Sequence, residues 1–164
     1  MSVTDQLLVN AEHYAATFDN GDLPMPPGQH VAIVTCMDAR VNPYGIFGLK
    51  EGDAHVIRNA GGAITDDAVR SLAISQRLLG TTEIILVHHA DCGMRTFKDE
   101  DFRRQIQEDT GIRPSWAPEA FPDSAGGVRQ SIARVKASPF LPQKGSVRGF
   151  VYDEKSGRLE EVHG

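Results

Sequence analysis

Residues 30–40, HVAIVTCMDAR, begin with a short run of apolar and β-branched side chains and end in a cysteine followed by charged residues. Such a run is typical of a strand that is buried on both faces of a sheet. Similar runs, AHVIRN at 54–59 and EIILVH at 83–88, predict two more strands. SVRGFVYD at 146–153 predicts a fourth strand, and a hairpin turn then leads into a short last strand at 158–162.

Helical segments separate these strands. The clearest is predicted over residues 66–79, with Thr65 as its N-cap and Gly80 as its stop. Further helices are predicted near 99–109 and 126–137. Strands that alternate with helices predict an α/β fold, with a mostly parallel four-stranded sheet and helices on both of its faces.

The chain has 164 residues and is expected to form a single domain over 1–164. Residues 4–18 carry apolar side chains along one side of a predicted helix, and the proline-rich stretch 23–28 interrupts regular structure after it. Residues 1–28 are therefore predicted to form an N-terminal helical arm and a stiff connector. The arm could pack on its own domain or reach a second subunit.

The charge and the apolar runs exclude several classes of protein. A net charge of −5 without a basic cluster argues against a nucleic acid partner. Neither a signal peptide nor an apolar run long enough to span a membrane is recognisable, so we expect a cytoplasmic protein without a membrane partner. In that compartment the only two cysteines are expected to be reduced.

Both cysteines lie at the ends of predicted strands. Cys36 ends the first, and His89 and Cys92 come just after the third, in the sequence HHADCG. Because the carboxyl ends of parallel strands form the ligand crevice of such a sheet, we expect the three side chains to meet there. Two thiolates and one imidazole suit Zn²⁺, and three protein ligands with a fourth position free are typical of catalytic zinc.

Asp38 and Arg40 alternate with Cys36 along an extended segment, so all three side chains are predicted to point the same way. A bidentate pair would keep the Asp38 carboxylate ionised and fixed as an acceptor. Alternatively, Asp38 could leave Arg40 and bind the metal as a fourth ligand, which would close the site.

The pattern C-x-D-x-R, a glycine-rich turn after the second strand and then H-x-x-C resembles the β-class carbonic anhydrases, particularly the short bacterial members. The resemblance implies that Cys36, His89 and Cys92 bind zinc, with Asp38 and Arg40 as a catalytic dyad. It also implies a fifth, antiparallel edge strand and a homodimer or dimer of dimers. Family members often have glycine where this chain has His88, but the H-x-x-C spacing selects His89.

The activity implied by this resemblance is the reversible hydration of carbon dioxide to bicarbonate by a zinc-bound hydroxide. Ala60, Gly61 and Gly62 are predicted to line a small substrate pocket, and Arg58 is a candidate anion contact. Some family members hold an inhibitory bicarbonate with a tryptophan at the position of Ile33, so this regulation is not expected here.

Two other functions stay open at this point. Hydrolases of carbonyl sulfide or carbon disulfide resemble the same family and share its ligand motif, so the motif does not exclude them. A non-catalytic zinc-binding module is the other alternative. The Asp38–Arg40 pair argues against the module, because a structural zinc site usually closes with a fourth cysteine or histidine.

Overall fold

The computed structural model describes residues 1–164, and its strands coincide closely with the apolar runs of the sequence. In chain order the elements are α1 (Val3–Ala16), β1 (Val31–Cys36), α2 (Pro43–Phe47), β2 (Ala54–Asn59), α3 (Asp66–Arg77), β3 (Glu83–His89), α4 (Asp99–Thr110), α5 (Ser124–Ala137), β4 (Ser146–Tyr152) and β5 (Leu159–Val162). Two short 3₁₀ turns lie at Ala60–Gly62 and Gly93–Arg95.

The five strands form one sheet in the order β2-β1-β3-β4-β5. The first four strands in this row are parallel, and β5 pairs antiparallel with β4. This arrangement confirms the predicted parallel sheet with an antiparallel edge strand. The register sets Thr35 of β1 opposite Val87 of β3, so the carboxyl ends of the two central strands lie side by side.

Helix α3 shows how local sequence sets the elements. The Thr65 side chain accepts a hydrogen bond from the Ala68 amide, as predicted for an N-cap. The helix ends at Arg77, two residues before the predicted end, and Gly80 then adopts a left-handed φ of +75°. A left-handed residue after the last turn favours glycine, which has no Cβ to clash with the backbone.

The main core lies on the sheet face that α3 and α5 cover. The side chains of Ala32 and Val34 in β1 and of Ile84 and Leu86 in β3 are fully buried in a cluster with residues of the two helices. The cluster comprises Ala32, Val34, Ile64, Ala68, Leu72, Ile84, Leu86, Val128, Ile132, Val135, Leu141 and Val162. Burial of this apolar surface is the main force that holds the helices on the sheet.

Helix α1 is attached to the rest of the chain by few contacts. None of its residues is buried, although its first turn is closed by a capping box between Ser2 and Asp5. Tyr14 and Asn20 both donate hydrogen bonds to the Glu51 carboxylate. The predicted arm is therefore present. None of the chain's helices has the length and apolar character needed to cross a membrane.

Gly149 of β4 lies directly beneath α5, and this contact generates a prediction. A Cβ at this position would lie 2.3 Å from Cγ1 of Val128, so Gly149→Ala is expected to force α5 away from the sheet. We expect it to lower the free energy of unfolding by about 1–3 kcal/mol in urea denaturation. Gly145→Ala is the control, because no atom lies within 4 Å of its added Cβ. Equal stability of the two variants would contradict this packing.

Candidate metal centre

Three potential metal-binding side chains converge at the carboxyl edge of the sheet. Cys36 is the last residue of β1, His89 is the last residue of β3, and Cys92 follows in the next loop. One donor atom of each lies within 4.8 Å of the other two, and all three residues are buried. The structure therefore brings together the three residues that the sequence selected.

The turn after β2 supports this cluster from the side. The Gly61 amide donates a hydrogen bond to Sγ of Cys36 at 3.3 Å. Gly62 has a φ of +65°, and a Cβ on it would lie 3.0 Å from the carbonyl carbon of Thr35. Only glycine fits so close to the end of β1 in this conformation. Ala60 packs against the apolar side of the cluster, and the predicted pocket role of these three residues stays a prediction.

The two ring nitrogens of His89 have different surroundings. Nδ1 is hydrogen bonded to the carboxylate of Glu154. Nε2 is buried and has no hydrogen-bond partner. An unpartnered nitrogen close to two thiol sulfurs fits a metal ligand. Nδ1 of His88 is also buried without a partner, but His88 is not part of this group of donors. The donor set of two sulfurs and one imidazole nitrogen suits Zn²⁺.

The neighbouring His88 points elsewhere. Its ring stacks on Phe121 with 4.9 Å between centroids, and its Nε2 lies 3.4 Å from Oγ of Ser131. Burial lowers the pKa of His88 to about 4. The ambiguity between the two histidines is thus resolved in favour of His89 as the residue that faces the cysteines.

The electrostatics of the cluster favour a thiolate. Hydrogen bonding with the neighbouring Cys92 holds the pKa of Cys36 well below the ordinary thiol value, and the Gly61 amide acts in the same direction. The same contact raises the pKa of Cys92. Burial alone would lower the pKa of His89, but the neighbouring Cys36 sulfur and the Glu154 carboxylate favour the charged ring, outweigh burial and raise that pKa. The cluster therefore holds negative charge that a divalent cation would offset.

Asp38 and Arg40 form the predicted bidentate pair. Nε of Arg40 donates to Oδ1 of Asp38 at 3.0 Å, and Nη2 donates to Oδ2 at 2.8 Å. The Arg40 guanidinium holds the pKa of Asp38 far below its usual range, so this carboxyl stays ionised. Oδ2 of Asp38 lies 3.9 Å from Nε2 of His89, which places the pair beside the three donors.

Two further residues, Asp91 and Arg58, fix this pair in place. Arg40 also donates to the side chain of Asp91 at 2.9 Å and to the Asp91 carbonyl at 2.8 Å. Arg58 donates to the carbonyl oxygens of Cys36 and Asp38, at 3.0 and 2.8 Å. Arg58 thereby holds the segment between the two residues, and its suggested contact with an anion stays a prediction.

Sequence reasoning missed two residues of the site. Glu154 falls in the predicted hairpin turn before the last strand, and its carboxylate contacts His89. Phe121 lies in an irregular loop of unassigned role, and it packs with Met94 against Cys36 and Cys92. For Glu154 a signal existed, because it follows β4, the parallel neighbour of β3, and so lies at the same sheet edge. No local pattern identifies Phe121.

Comparisons with known proteins agree with this geometry. The sequence profile of the carbonic anhydrase family matches residues 31–138. The chain is 60% identical over 162 residues to beta-carbonic anhydrase 1 of Mycobacterium tuberculosis, with 99% of each chain covered. It is 31% identical over 182 residues to a carbon disulfide hydrolase of an Acidianus species, covering 96% of this chain and 87% of that one. The crystal structure of a carbonic anhydrase from Streptococcus mutans superposes with a TM-score of 0.92 at 41% identity, covering 99% of both chains.

The parallel sheet with a sulfur–sulfur–nitrogen donor set at its carboxyl edge defines a zinc-dependent α/β enzyme. The chain belongs to the β-carbonic anhydrase family, which uses zinc. The family, the fold and the metal that the sequence motifs predicted are therefore confirmed.

The donor cluster predicts the metal content of the protein. Purified protein is expected to hold about one zinc per chain by elemental analysis, as one three-ligand site requires. His89→Ala should remove most of this zinc because a ligand is lost. His13→Ala, on the exposed face of α1, should retain it. Zinc-free wild-type protein after purification without chelators would contradict the site.

Proposed function

We propose that this chain catalyses the reversible hydration of carbon dioxide to bicarbonate and a proton, with zinc held by Cys36, His89 and Cys92. The observation that carries the proposal is the convergence of two thiols and the unpartnered Nε2 of His89 beside the Asp38–Arg40 pair. Three donors leave a fourth position for the reaction, which distinguishes a catalytic zinc site from a structural one.

When bound, zinc supplies Lewis-acid chemistry that makes water a nucleophile near neutral pH. The chain's own contribution is orientation. Asp38 is ionised and held on both oxygens by Arg40, so it can accept a hydrogen bond from the attacking water but has no proton to donate. That contact would direct the water's free lone pair towards the carbon of the substrate.

The Asp38–Arg40 pair also bears on whether the site is open. A carboxylate that binds the metal would have to leave Arg40 and lose two charge-assisted hydrogen bonds. Arg40 is in turn held by Asp91, which resists its displacement. These contacts support an arrangement in which Asp38 accepts a hydrogen bond from the attacking water and does not occupy the fourth ligand position.

Carbon disulfide hydrolysis is the rival activity on this scaffold. The 60% identity to a β-carbonic anhydrase across the whole chain, against 31% to a carbon disulfide hydrolase, supports carbon dioxide as the substrate. A non-catalytic zinc module would have no use for an ionised carboxylate fixed beside the donors.

We further propose a cytoplasmic location, because the two ligand thiols must stay reduced.

Stopped-flow hydration of carbon dioxide by zinc-quantified protein tests the activity. Wild-type turnover is expected to scale with zinc content. Asp38→Asn is expected to keep the metal and lose about 100-fold or more in turnover, because the orienting carboxylate is gone. The matched control is Asp67→Asn, which alters an exposed Asp–Arg pair on α3 and should leave turnover unchanged.

Each other outcome has a distinct meaning. Full activity of Asp38→Asn would remove Asp38 from the mechanism. Zinc-loaded wild-type protein that hydrolyses carbon disulfide but does not hydrate carbon dioxide would assign the chain to the rival activity. Zinc-loaded protein without either activity would favour the binding module.

We also propose that α1 packs against a second copy of the chain in a homodimer, or a dimer of dimers. The helix has no buried residue, yet it exposes large apolar side chains, namely Val3, Leu7, Leu8, Val9 and Tyr14. An isolated helix of 14 residues is marginal in water, so it needs a surface to pack on. Its own domain buries none of these side chains, which supports a second copy as the partner.

Light scattering coupled to size exclusion measures the assembly. The 17.9 kDa chain is expected to elute as a dimer or larger. The double variant Leu7→Ser/Leu8→Ser should shift the population towards monomer, because it removes exposed apolar surface from α1. Glu12→Ala on the same helix is the control. An active monomeric wild-type protein would contradict the proposal.

A further inference from the structure

Glu154 is the carboxylate behind the candidate zinc ligand. It lies in the turn between β4 and β5, 65 residues along the chain from His89, and its Oε1 is hydrogen bonded to His89 Nδ1. The same oxygen accepts the Asp91 amide at 3.0 Å, and Oε2 lies 3.3 Å from that amide. Glu154 therefore joins the histidine to the loop that carries Cys92.

The turn itself is built to hold this side chain still. Asp153 accepts hydrogen bonds from the Lys155 amide and the Ser156 hydroxyl, and its own amide donates to the Arg158 carbonyl. Gly157 closes the turn with a left-handed φ of +72°. Because the turn is fixed on both sides, Glu154 reaches His89 from a defined backbone position.

The burial of Glu154 requires compensation. Its side chain is only 6% exposed, and no lysine or arginine forms an ion pair with it. An ionised carboxylate removed from water is costly unless hydrogen bonds or opposite charge offset the loss of hydration. Its carboxylate is hydrogen bonded to the His89 ring and the Asp91 amide. A cation on the far nitrogen of His89 would supply the remaining compensation through the imidazole.

We propose that Glu154 is a positioning residue for His89. Its carboxylate holds the imidazole ring with the N–H at Nδ1 and with the Nε2 lone pair directed towards the sulfurs of Cys36 and Cys92. This inference rests on the proposed zinc site. Glu154 touches neither substrate nor metal, and it acts through the histidine. A carboxylate in this position also makes the imidazole a stronger donor, so its removal weakens metal binding.

Zinc affinity is the direct measurement, by competition with a chromophoric chelator. Glu154→Ala is expected to weaken zinc binding by about 10–100-fold. Glu154→Gln should recover most of the loss, because its amide oxygen can accept from both His89 and Asp91, as Oε1 does now. Glu160→Ala is the matched control, since this exposed glutamate lies on β5 without a contact to the donors.

The outcomes separate positioning from a merely structural role. A structural role would lower the unfolding midpoint of the metal-free protein and leave the zinc dissociation constant unchanged, which would overturn the proposal. Equal zinc affinity of Glu154→Ala and Glu160→Ala would overturn it too. If Glu154→Ala does not fold, Glu154→Asp replaces it. The shorter side chain is expected to lose the contact with His89, so this variant should bind zinc more weakly. Wild-type zinc affinity in Glu154→Asp would contradict the inference.

This experiment is independent of turnover. Wild-type protein that binds zinc but does not hydrate carbon dioxide would refute the proposed function and still allow the affinities of the variants to be compared. Conversely, full turnover with unchanged zinc affinity in Glu154→Ala would leave the proposed function intact and refute the role of Glu154. The two proposals therefore fail on different measurements.

Discussion

The parallel pairing of β1 with β3 is the interaction on which the metal centre depends. Its register sets Thr35 opposite Val87, so that Cys36 and His89 emerge together at the carboxyl edge of the sheet. A slip of one residue would turn every side chain of one strand to the other face and separate the donors. The apolar residues that fix this register are those of the main core, so the stability of the fold and the geometry of the site share one cause.

Charge is the second constraint on the site. Two thiols, Asp38 and Glu154 gather around one point, and Arg40 is the cation that contacts this group directly. A thiolate at Cys36 beside the ionised carboxylate of Asp38 is unfavourable in a buried place without a cation. Two thiolates also neutralise the formal charge of zinc, which reduces its power to acidify water. Groups beside the metal, such as the Asp38 carboxylate next to His89, are therefore expected to matter more here than beside three histidines.

The sequence predicted the parts of the site that depend on local pattern. Apolar runs located the strands. Cys36 ends one of them, and Asp38 and Arg40 follow within four residues. The link to Glu154 was beyond such reasoning, because a contact across 65 residues depends on how β4 pairs with β3. The glycine-rich turn was recognised, but its hydrogen bond to Cys36 requires the three-dimensional approach of two strand ends. The local sequence pattern therefore identifies the candidate metal-binding side chains, whereas the residues that support them are found only from the pairing of the strands.

The surroundings of the donors differ on two sides, and this difference suits the reaction. Met94 and Phe121 pack against the cysteines and are almost fully buried, which gives one side an apolar surface. On the other side Arg40 is half exposed and Asp91 is largely exposed. Carbon dioxide is small and uncharged, so an apolar wall costs it little hydration. Bicarbonate and the proton are charged, so the polar, solvent-exposed side would suit them better. Such an arrangement would place the neutral reactant against the apolar wall and the charged products towards solvent.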